Sequence, residues 1–315
     1  MKVCICCCAK KEEKYIKEWL DWHLSLGIDH IFIADNNDSE YEYQLEKILK
    51  NYIDEKKITL YNYKDKINQV QLPSYKQMYN DNKYKYDWLI FIDVDEFINI
   101  PETNNNIKLF LLQEKFKNAD SISLGWLNYN DNDLIYYEDK PLQERFTKYI
   151  PINKNNKTKC KTIIRGNLNN VCPSIHFSPG VKNRYDVKGY TIDETKTIDI
   201  NFDYTYLNIC YIKHFMYKTI EEYIEKILKS NAYLSYTAIT RFNIDNFFRY
   251  NKKTKEKEDI ILKNQDKILK VKFEYTKNVL KKEYDITVNR LNLKYFDKNR
   301  LNEILNEITY IYKYL

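Results

Sequence analysis

Apolar residues in the first hundred positions alternate between two rhythms. Lys2 to Ala9 (KVCICCCA), His30 to Ala34 (HIFIA), Ile58 to Tyr63 and Asp87 to Ile92 (DWLIFI) are short, nearly unbroken apolar runs rich in strand formers. Between the first two, Glu12 to Leu26 places Ile16, Trp19, Leu20, His23 and Leu24 at the i, i+3, i+4, i+7, i+8 spacing of an amphipathic helix, with Gly27 as its C-cap. Tyr41 to Ile53 and Ser74 to Tyr84 carry the helical rhythm again. Buried strands separated by amphipathic helices predict an α/β fold with a mostly parallel central sheet flanked by helices. Right-handed crossovers then bring the strand C-termini to one edge, where open sheets bind ligands. That edge would carry Lys10 to Glu13, Asp35 to Asp38 and Asp93 to Glu96.

The pattern is less regular further on. Ser121 to Tyr129, Thr162 to Arg165 and Leu207 to Lys213 read as strands, the last ending at His214. Thr219 to Ser230 reads as a helix with Glu221, Glu222, Glu225 and Lys226 on its wet side. From Asn251 the chain is Lys-rich and helical, so a boundary near 240 is expected. It would separate an α/β domain over 1–240 from a helical C-terminal extension over 241–315.

Composition removes several functions. The chain has 315 residues and only 5 glycines, none at the spacing of a dinucleotide-binding G-x-G-x-x-G, a P-loop or a G-x-S-x-G elbow. Its 4 histidines contain no H-E-x-x-H. A net charge of +6 is too small to suggest a nucleic-acid binder built on charge. Of the 7 cysteines, four crowd into positions 4–8, and Cys4 and Cys7 form a C-x-x-C without a second ligand pair. On a strand those two thiols point to opposite faces, so buried packing is the expected use. The run from Val3 to Ala9 is too short for a signal peptide, and no window is long enough to span a bilayer. A cytoplasmic location is therefore expected.

Asp93-Val94-Asp95 closes a buried apolar strand. On an extended chain residues i and i+2 share a side, roughly 6–7 Å apart. Such a carboxylate pair suits Mg2+ or Mn2+ shared with a diphosphate, where the ion acts as a Lewis acid on the leaving group. An ordinary acidic strand end is the competing reading.

Several segments in order over about residues 1–235 resemble GT-A-type glycosyltransferases, in particular family 92 and related family 2 members. The opening is Lys10-Lys11-Glu12-Glu13 with Ile16 to Leu20, where Lys11 stands in place of the usual Asn. Gly27-Ile28-Asp29-His30 with Asp35-Asn36-Asn37 follows. The most specific stretch is Met78-Tyr79-Asn80-Asp81, then Tyr86-Asp87-Trp88, then Asp93-Val94-Asp95-Glu96-Phe97. Glu144-Arg145-Phe146, Lys161 to Arg165, and His214 with Lys218 to Tyr223 complete the likeness. It implies a nucleotide-sugar donor, with a UDP-sugar favoured. Asp35 would contact the nucleobase, Asp93 and Asp95 would hold ribose and metal, and His214 would complete the metal or diphosphate site. Lys11, Glu13, Asn37 and Asn80 lie in the matching motifs and join the donor-binding set. Lys161 and Arg165, on one face of a strand, would contact the diphosphate or an anionic acceptor, or else be solvated charges. Trp126 is either a sugar-stacking platform or a core tryptophan, and His176 is a candidate for the acceptor cleft.

The likeness also implies inversion, which needs a general base for the acceptor hydroxyl. Asp131, Asp133, Glu138, Asp139 and Glu144 are the candidates. Glu144 is favoured because Arg145 could orient it, and Asp131 is the alternative nearer the strand end. The acceptor would be a glycan or a lipid-linked sugar in surface-polysaccharide synthesis. The Lys-rich C-terminal helices, with Ile260, Ile261, Leu262, Ile268, Leu269, Val271 and Phe273, either pack on the enzyme or rest on the inner face of a membrane. A nucleotidyltransferase and a nucleic-acid-binding protein are the competing classes.

Overall fold

A computed structural model describes residues 1–66, 70–152, 154–192, 198–228, 244–268 and 270. The chain separates into two compact units, Met1–Asn132 with Glu138–Lys218, and Asp133–Tyr137 with Thr219–Leu315.

The first unit holds a 10-stranded sheet. Its first half is the βα series the pattern predicts. It comprises β1 (Val3–Ala9), α1 (Ile16–Ser25), β2 (His30–Asp35), α2 (Leu45–Ile48), α3 (Lys50–Asp54), β3 (Ile58–Asn62), α4 (Gln71–Asn82) and β4 (Trp88–Phe91). The helix expected over Tyr41 to Ile53 is two short ones, meeting at Leu49. β1 pairs in parallel with both β2 and β4, and β2 with β3. Both faces of β1 and β4 are covered, which is why these strands are apolar at nearly every position rather than at alternate ones. The four clustered cysteines contribute to this strand, and Cys4, Cys6 and Cys7 are buried free thiols.

The second half is β5 (Glu96–Asn99), α5 (Ile107–Leu111), β6 (Ser121–Asn128), α6 (Leu142–Arg145), β7 (Lys157–Arg165), β8 (Arg184–Asp186), β9 (Asp199–Asn201) and β10 (Tyr211–His214). The sheet runs β3-β2-β1-β4-β7-β6-β10-β5, with β8 on β6 and β9 on β7. This half mixes directions: β7 is antiparallel to β4 and β6, whereas β10 is parallel to β6 and antiparallel to β5. The strand expected from Leu207 begins only at Tyr211, because Tyr204–Asn208 coils into a short helix capped by the Asp203 carboxylate.

α1 packs across β5 and anchors it through indole hydrogen bonds. Trp19 Nε1–H donates to the Glu96 carbonyl at 2.8 Å, and Trp22 Nε1–H to that of Ile98 at 2.7 Å. His23 is fully buried, with Nδ1 2.8 Å from the Trp19 carbonyl and Nε2 accepting the Ile98 N–H at 3.3 Å. Burial pushes this imidazole down to about 3 from 6.5. The folded state therefore binds fewer protons than the unfolded one, and stability falls as pH drops from 6.5 towards 3. Between pH 8 and pH 5 the loss expected from His23 is about 2 kcal/mol. Its ring NMR signals should stay at the neutral position down to pH 5, and a normal titration near 6.5 would contradict this.

The second unit's described helices are α7 (Ile220–Leu228), α8 (Ile244–Phe248) and α9 (Lys255–Lys263). Glu222, expected on the wet side, is buried. It closes a capping box in which its carboxylate accepts from Thr219 Oγ1 at 2.8 Å and its own N–H donates back at 3.2 Å. Of the apolar C-terminal positions, Ile260 and Ile268 are buried and Leu262 is exposed. Leu269, Val271 and Phe273, like residue 240, lie outside the described residues. Among the described residues no helix is long and apolar enough to cross a membrane.

Candidate active site

β4 is fully buried and ends at Phe91, and the chain then turns rather than continuing extended. The Glu96 N–H donates to the Asp93 carbonyl at 3.1 Å, and the Asp93 N–H to Glu96 Oε2 at 2.9 Å. The turn delivers Glu96 to the start of β5, where antiparallel pairing sets it directly opposite His214 on β10. His214 in turn pairs with Asn128 on β6. Cross-strand partners share a face, and so do positions i and i+2. Trp126 and Asn128 of β6, His214 and Glu96 therefore occupy one face, and Lys161, opposite Leu124, joins them from β7.

On that face three ligating groups converge. His214 Nε2 is 3.8 Å from Asp95 Oδ1 and 4.0 Å from Glu96 Oε1. One donor atom from each residue lies within 4.8 Å of the others. An octahedral ion with ligands at about 2.1 Å needs donors roughly 3.0–4.2 Å apart. Small side-chain adjustments bring the set into that range. Glu96 is 0% exposed, and its Oε1 has no hydrogen-bond partner among the described residues. An orphaned buried carboxylate oxygen facing an imidazole nitrogen is what a cation site requires. Two carboxylates and one imidazole suit Mn2+ and, less well, Mg2+.

Asp93, expected in this set, points elsewhere. Its Oδ2 accepts from Lys161 Nζ at 2.7 Å, and its Oδ1 from Gln71 Nε2 at 2.7 Å and the Tyr75 hydroxyl at 3.2 Å. The turn breaks the i, i+2 alternation, so Asp93 and Asp95 do not act as a side-by-side pair. Glu96 takes the place that the spacing assigned to Asp93. Lys161 is 0% exposed and also lies 3.6 Å from Glu96 Oε2. Burial alone would lower its ammonium, but Asp93 and Glu96 outweigh it and hold it above its ordinary value. Glu96 is pushed well up by burial, against Lys161, with Asp93 and Asp95 adding to the rise. The cluster concentrates negative charge around one internal cation.

A second polar group forms where β1 and β2 end. Asp35 is buried. Its Oδ1 accepts the Asn37 N–H at 3.0 Å, and its Oδ2 is 3.7 Å from Lys64 Nζ. Burial raises this carboxyl, opposed by the Asn37 N–H and Lys64. Asn37 Oδ1 accepts the Lys11 N–H at 2.7 Å, tying the two strand ends together, and Lys11 adopts a left-handed φ of 53° there. Glu13 accepts from the Tyr41 hydroxyl at 2.7 Å, while its other oxygen, like Asn36 Oδ1, is buried without a hydrogen-bond partner among the described residues. Lys11, Glu13, Asp35 and Asn37 are thus gathered at one edge, as expected.

The model of glycosyltransferase family 92 matches residues 1–271. The chain belongs to glycosyltransferase family 92. A family 92 protein of Ricinus communis is 26% identical over 120 residues, 38% of this chain and 20% of the relative. One from Oryza sativa subsp. japonica is 25% identical over 99 residues, 31% of this chain and 16% of the relative. The aligned stretches thus span a fifth or less of these relatives' lengths. Among solved structures, S. aureus TarS 1-349 in complex with UDP aligns over 43% of this chain and 38% of its own, at 16% identity and TM-score 0.33. The mannosyltransferase PcManGT from Pyrobaculum calidifontis, in complex with GDP-Man and Mn2+, aligns over 39% and 35%, at 11% identity and TM-score 0.29.

Three residues expected in the site of this family 92 chain are not brought to the cluster. Asn80 is exposed near the end of α4, nine residues and about 13 Å along the helix from Gln71. Arg165 shares a face with Lys161 but lies about 13 Å further along β7, opposite Trp88 at the start of β4. Its guanidinium is spent on the carbonyls of Ala119 at 2.7 Å and Phe116 at 3.0 Å. Glu144 is exposed on α6. The neighbouring Gln143 accepts from Lys213 Nζ at 3.0 Å, and Lys213 points to the sheet face opposite His214. Arg145 donates to the Lys140 carbonyl at 3.2 Å.

Asp131 is buried, three residues beyond Asn128. Trp126 lies in the cluster, but its ring is already flanked by His214 at 4.3 Å, His176 at 5.2 Å and Lys161 Nζ at 5.9 Å. That crowding leaves the indole N–H, buried and without an acceptor among the described residues, as its available group. His176 sits beside Trp126 with Nδ1 2.9 Å from the Cys160 carbonyl. Sequence reasoning missed Glu96, Gln71, Tyr75 and Asn128 as site residues. For Glu96 a signal existed, because it directly follows the acidic pair.

Proposed function

We propose that this family 92 chain transfers a sugar from a nucleotide-diphosphate sugar to a hydroxyl of a glycan or lipid-linked acceptor, with inversion. The convergence of Asp95, Glu96 and His214 at the mouth of the sheet carries this reading. Those three residues would hold Mn2+ or Mg2+, which when bound neutralises charge on the diphosphate leaving group. The chain's own residues supply the rest. Asp35 Oδ2, paired with Lys64 at 3.7 Å, and Asn36 Oδ1 accept no hydrogen bond among the described residues and can accept N–H groups of a nucleobase. Lys161 fixes Asp93 beside the Glu96 turn, where its 32% exposed carboxylate can accept ribose hydroxyls. Trp126 Nε1–H can donate to a sugar or phosphate oxygen.

For the general base we favour Asp131 over Glu144. Asp131 follows directly from the strand that carries Trp126 and Asn128, and its burial excludes water from the proton transfer. An inverting displacement needs that carboxylate to take the acceptor proton as the new bond forms.

Nucleotide release should be measured with UDP-, GDP- and CMP-sugars, with and without Mn2+. Mn2+-dependent release of a nucleoside diphosphate is expected. Release of pyrophosphate from a nucleoside triphosphate plus a sugar phosphate would instead show nucleotidyl transfer. Asp131→Asn should lower kcat by roughly 10²–10⁴ while leaving donor KM near the wild-type value. An unchanged kcat would remove Asp131 as the base.

A further inference from the structure

His214 can serve a cation only through a nitrogen that carries no proton. Its two ring nitrogens face different groups. Nε2 is turned to Asp95 Oδ1 at 3.8 Å and Glu96 Oε1 at 4.0 Å. Nδ1 lies 2.9 Å from the side-chain oxygen of Asn128. That oxygen can only accept, so in this contact Nδ1 is the protonated nitrogen and Nε2 keeps its lone pair. Free imidazole has no such fixed choice, and the opposite tautomer would aim an N–H at the two carboxylates and remove the ligand. Strand register places the two side chains next to each other on one face, because Asn128 and His214 are direct partners in the parallel pairing of β6 and β10. Trp126, two residues before Asn128 on the same face, lies 4.3 Å from the imidazole and closes one side of it. Trp126 thus limits the ring on one side, and the contact with Asn128 favours the Nδ1–H tautomer.

We infer that Asn128 is a positioning residue. It holds His214 in the Nδ1–H tautomer with Nε2 directed at Asp95 and Glu96, and so sets the affinity for the divalent cation. This rests on the reading of those three residues as a cation site. Groups in this indirect role typically govern metal affinity by 10–100-fold.

The test uses the full chain with 15N-labelled histidine. With 4 histidines, ring signals can be assigned by substitution. Wild-type His214 is expected to show Nδ1–H, with Nε2 unprotonated. Titration with Mn2+ alone, followed by paramagnetic broadening of the His214 ring, then gives the affinity without any turnover assay. Asn128→Leu should move His214 towards the Nε2–H form and weaken Mn2+ binding 10–100-fold. Asn128→Asp, which still accepts from Nδ1, should keep both tautomer and affinity. Unchanged His23 and His176 signals show that a variant is folded. If Asn128→Leu disrupts them, Asn128→Ser takes its place.

Wild-type His214 in the Nε2–H form, or full Mn2+ affinity in the leucine variant, overturns the role of Asn128 alone. Failure of the wild type to bind Mn2+ overturns the cation site and the proposal together, even with the tautomer as expected.

Discussion

Asp95→Ala is expected to leave the fold intact and to lower kcat roughly a thousandfold at saturating donor. Lewis-acid stabilisation of a departing diphosphate is worth several kcal/mol, and each 1.4 kcal/mol is a factor of ten. Asp95 lies in the turn between β4 and β5, outside both strands, so its truncation removes a carboxylate and no apolar side chain. Glu96→Gln is the sharper companion. It keeps the volume of a side chain that is 0% exposed but removes the charge. Loss of activity should match Asp95→Ala, whereas stability should hold or rise slightly, because a buried carboxylate without full compensation costs folding free energy. Urea denaturation and nucleotide release on the same preparations separate the two effects. Wild-type turnover in Glu96→Gln would remove Glu96 from the site and restore the sequence assignment of Asp93.

Lys161→Met carries the largest expected cost in stability, about 3 kcal/mol. The lysine is 0% exposed and lies 2.7 Å from Asp93 and 3.6 Å from Glu96. Deleting the cation leaves two carboxylates facing one another with no counter-charge, and breaking such a buried arrangement typically costs 3–5 kcal/mol. The lower end applies because Asp93 is 32% exposed and partly screened. The variant should show a lower urea midpoint at an unchanged slope. Adding Glu96→Gln should recover more than half of the loss, since the two side chains act in one network. A Lys161→Met protein as stable as the wild type would mean that the carboxylates are already neutral.

The strands β1, β2 and β4 could be read from the chain within a residue or two because they are buried on both faces, whereas β3, at the sheet edge, is exposed at Thr59 and Asn62. Burial on both faces turns a strand into a continuous apolar run, and its short length and richness in strand formers separate it from a buried helix. The edge clusters Lys11, Glu13, Asp35 and Asn37 followed from that series, since parallel strands must deliver their ends to one side. Reading failed where a local rule was extended through a turn. The alternation that paired Asp93 with Asp95 holds only for extended chain, and the hydrogen bonds between Asp93 and Glu96 show that the chain there is not extended. Arg165 shows the complementary error. Its face was right, but a strand also has length, and 13 Å separates a shared face from a shared site.

Sequence alone determined the alternating α/β series, the acidic end of the fourth strand, and an edge rich in polar groups. These depend on interactions between residues a few positions apart, and the chain records them in its periodicity. Tertiary structure decided which carboxylate joins His214. Glu96 and His214 are 118 positions apart and meet only because β5 and β10 pair antiparallel at the sheet's far edge. The same pairing of distant strands placed Asn128 on Nδ1 and Lys161 on Asp93. No periodicity encodes such contacts, because each is fixed by the register of strands whose order in the sheet differs from their order in the chain.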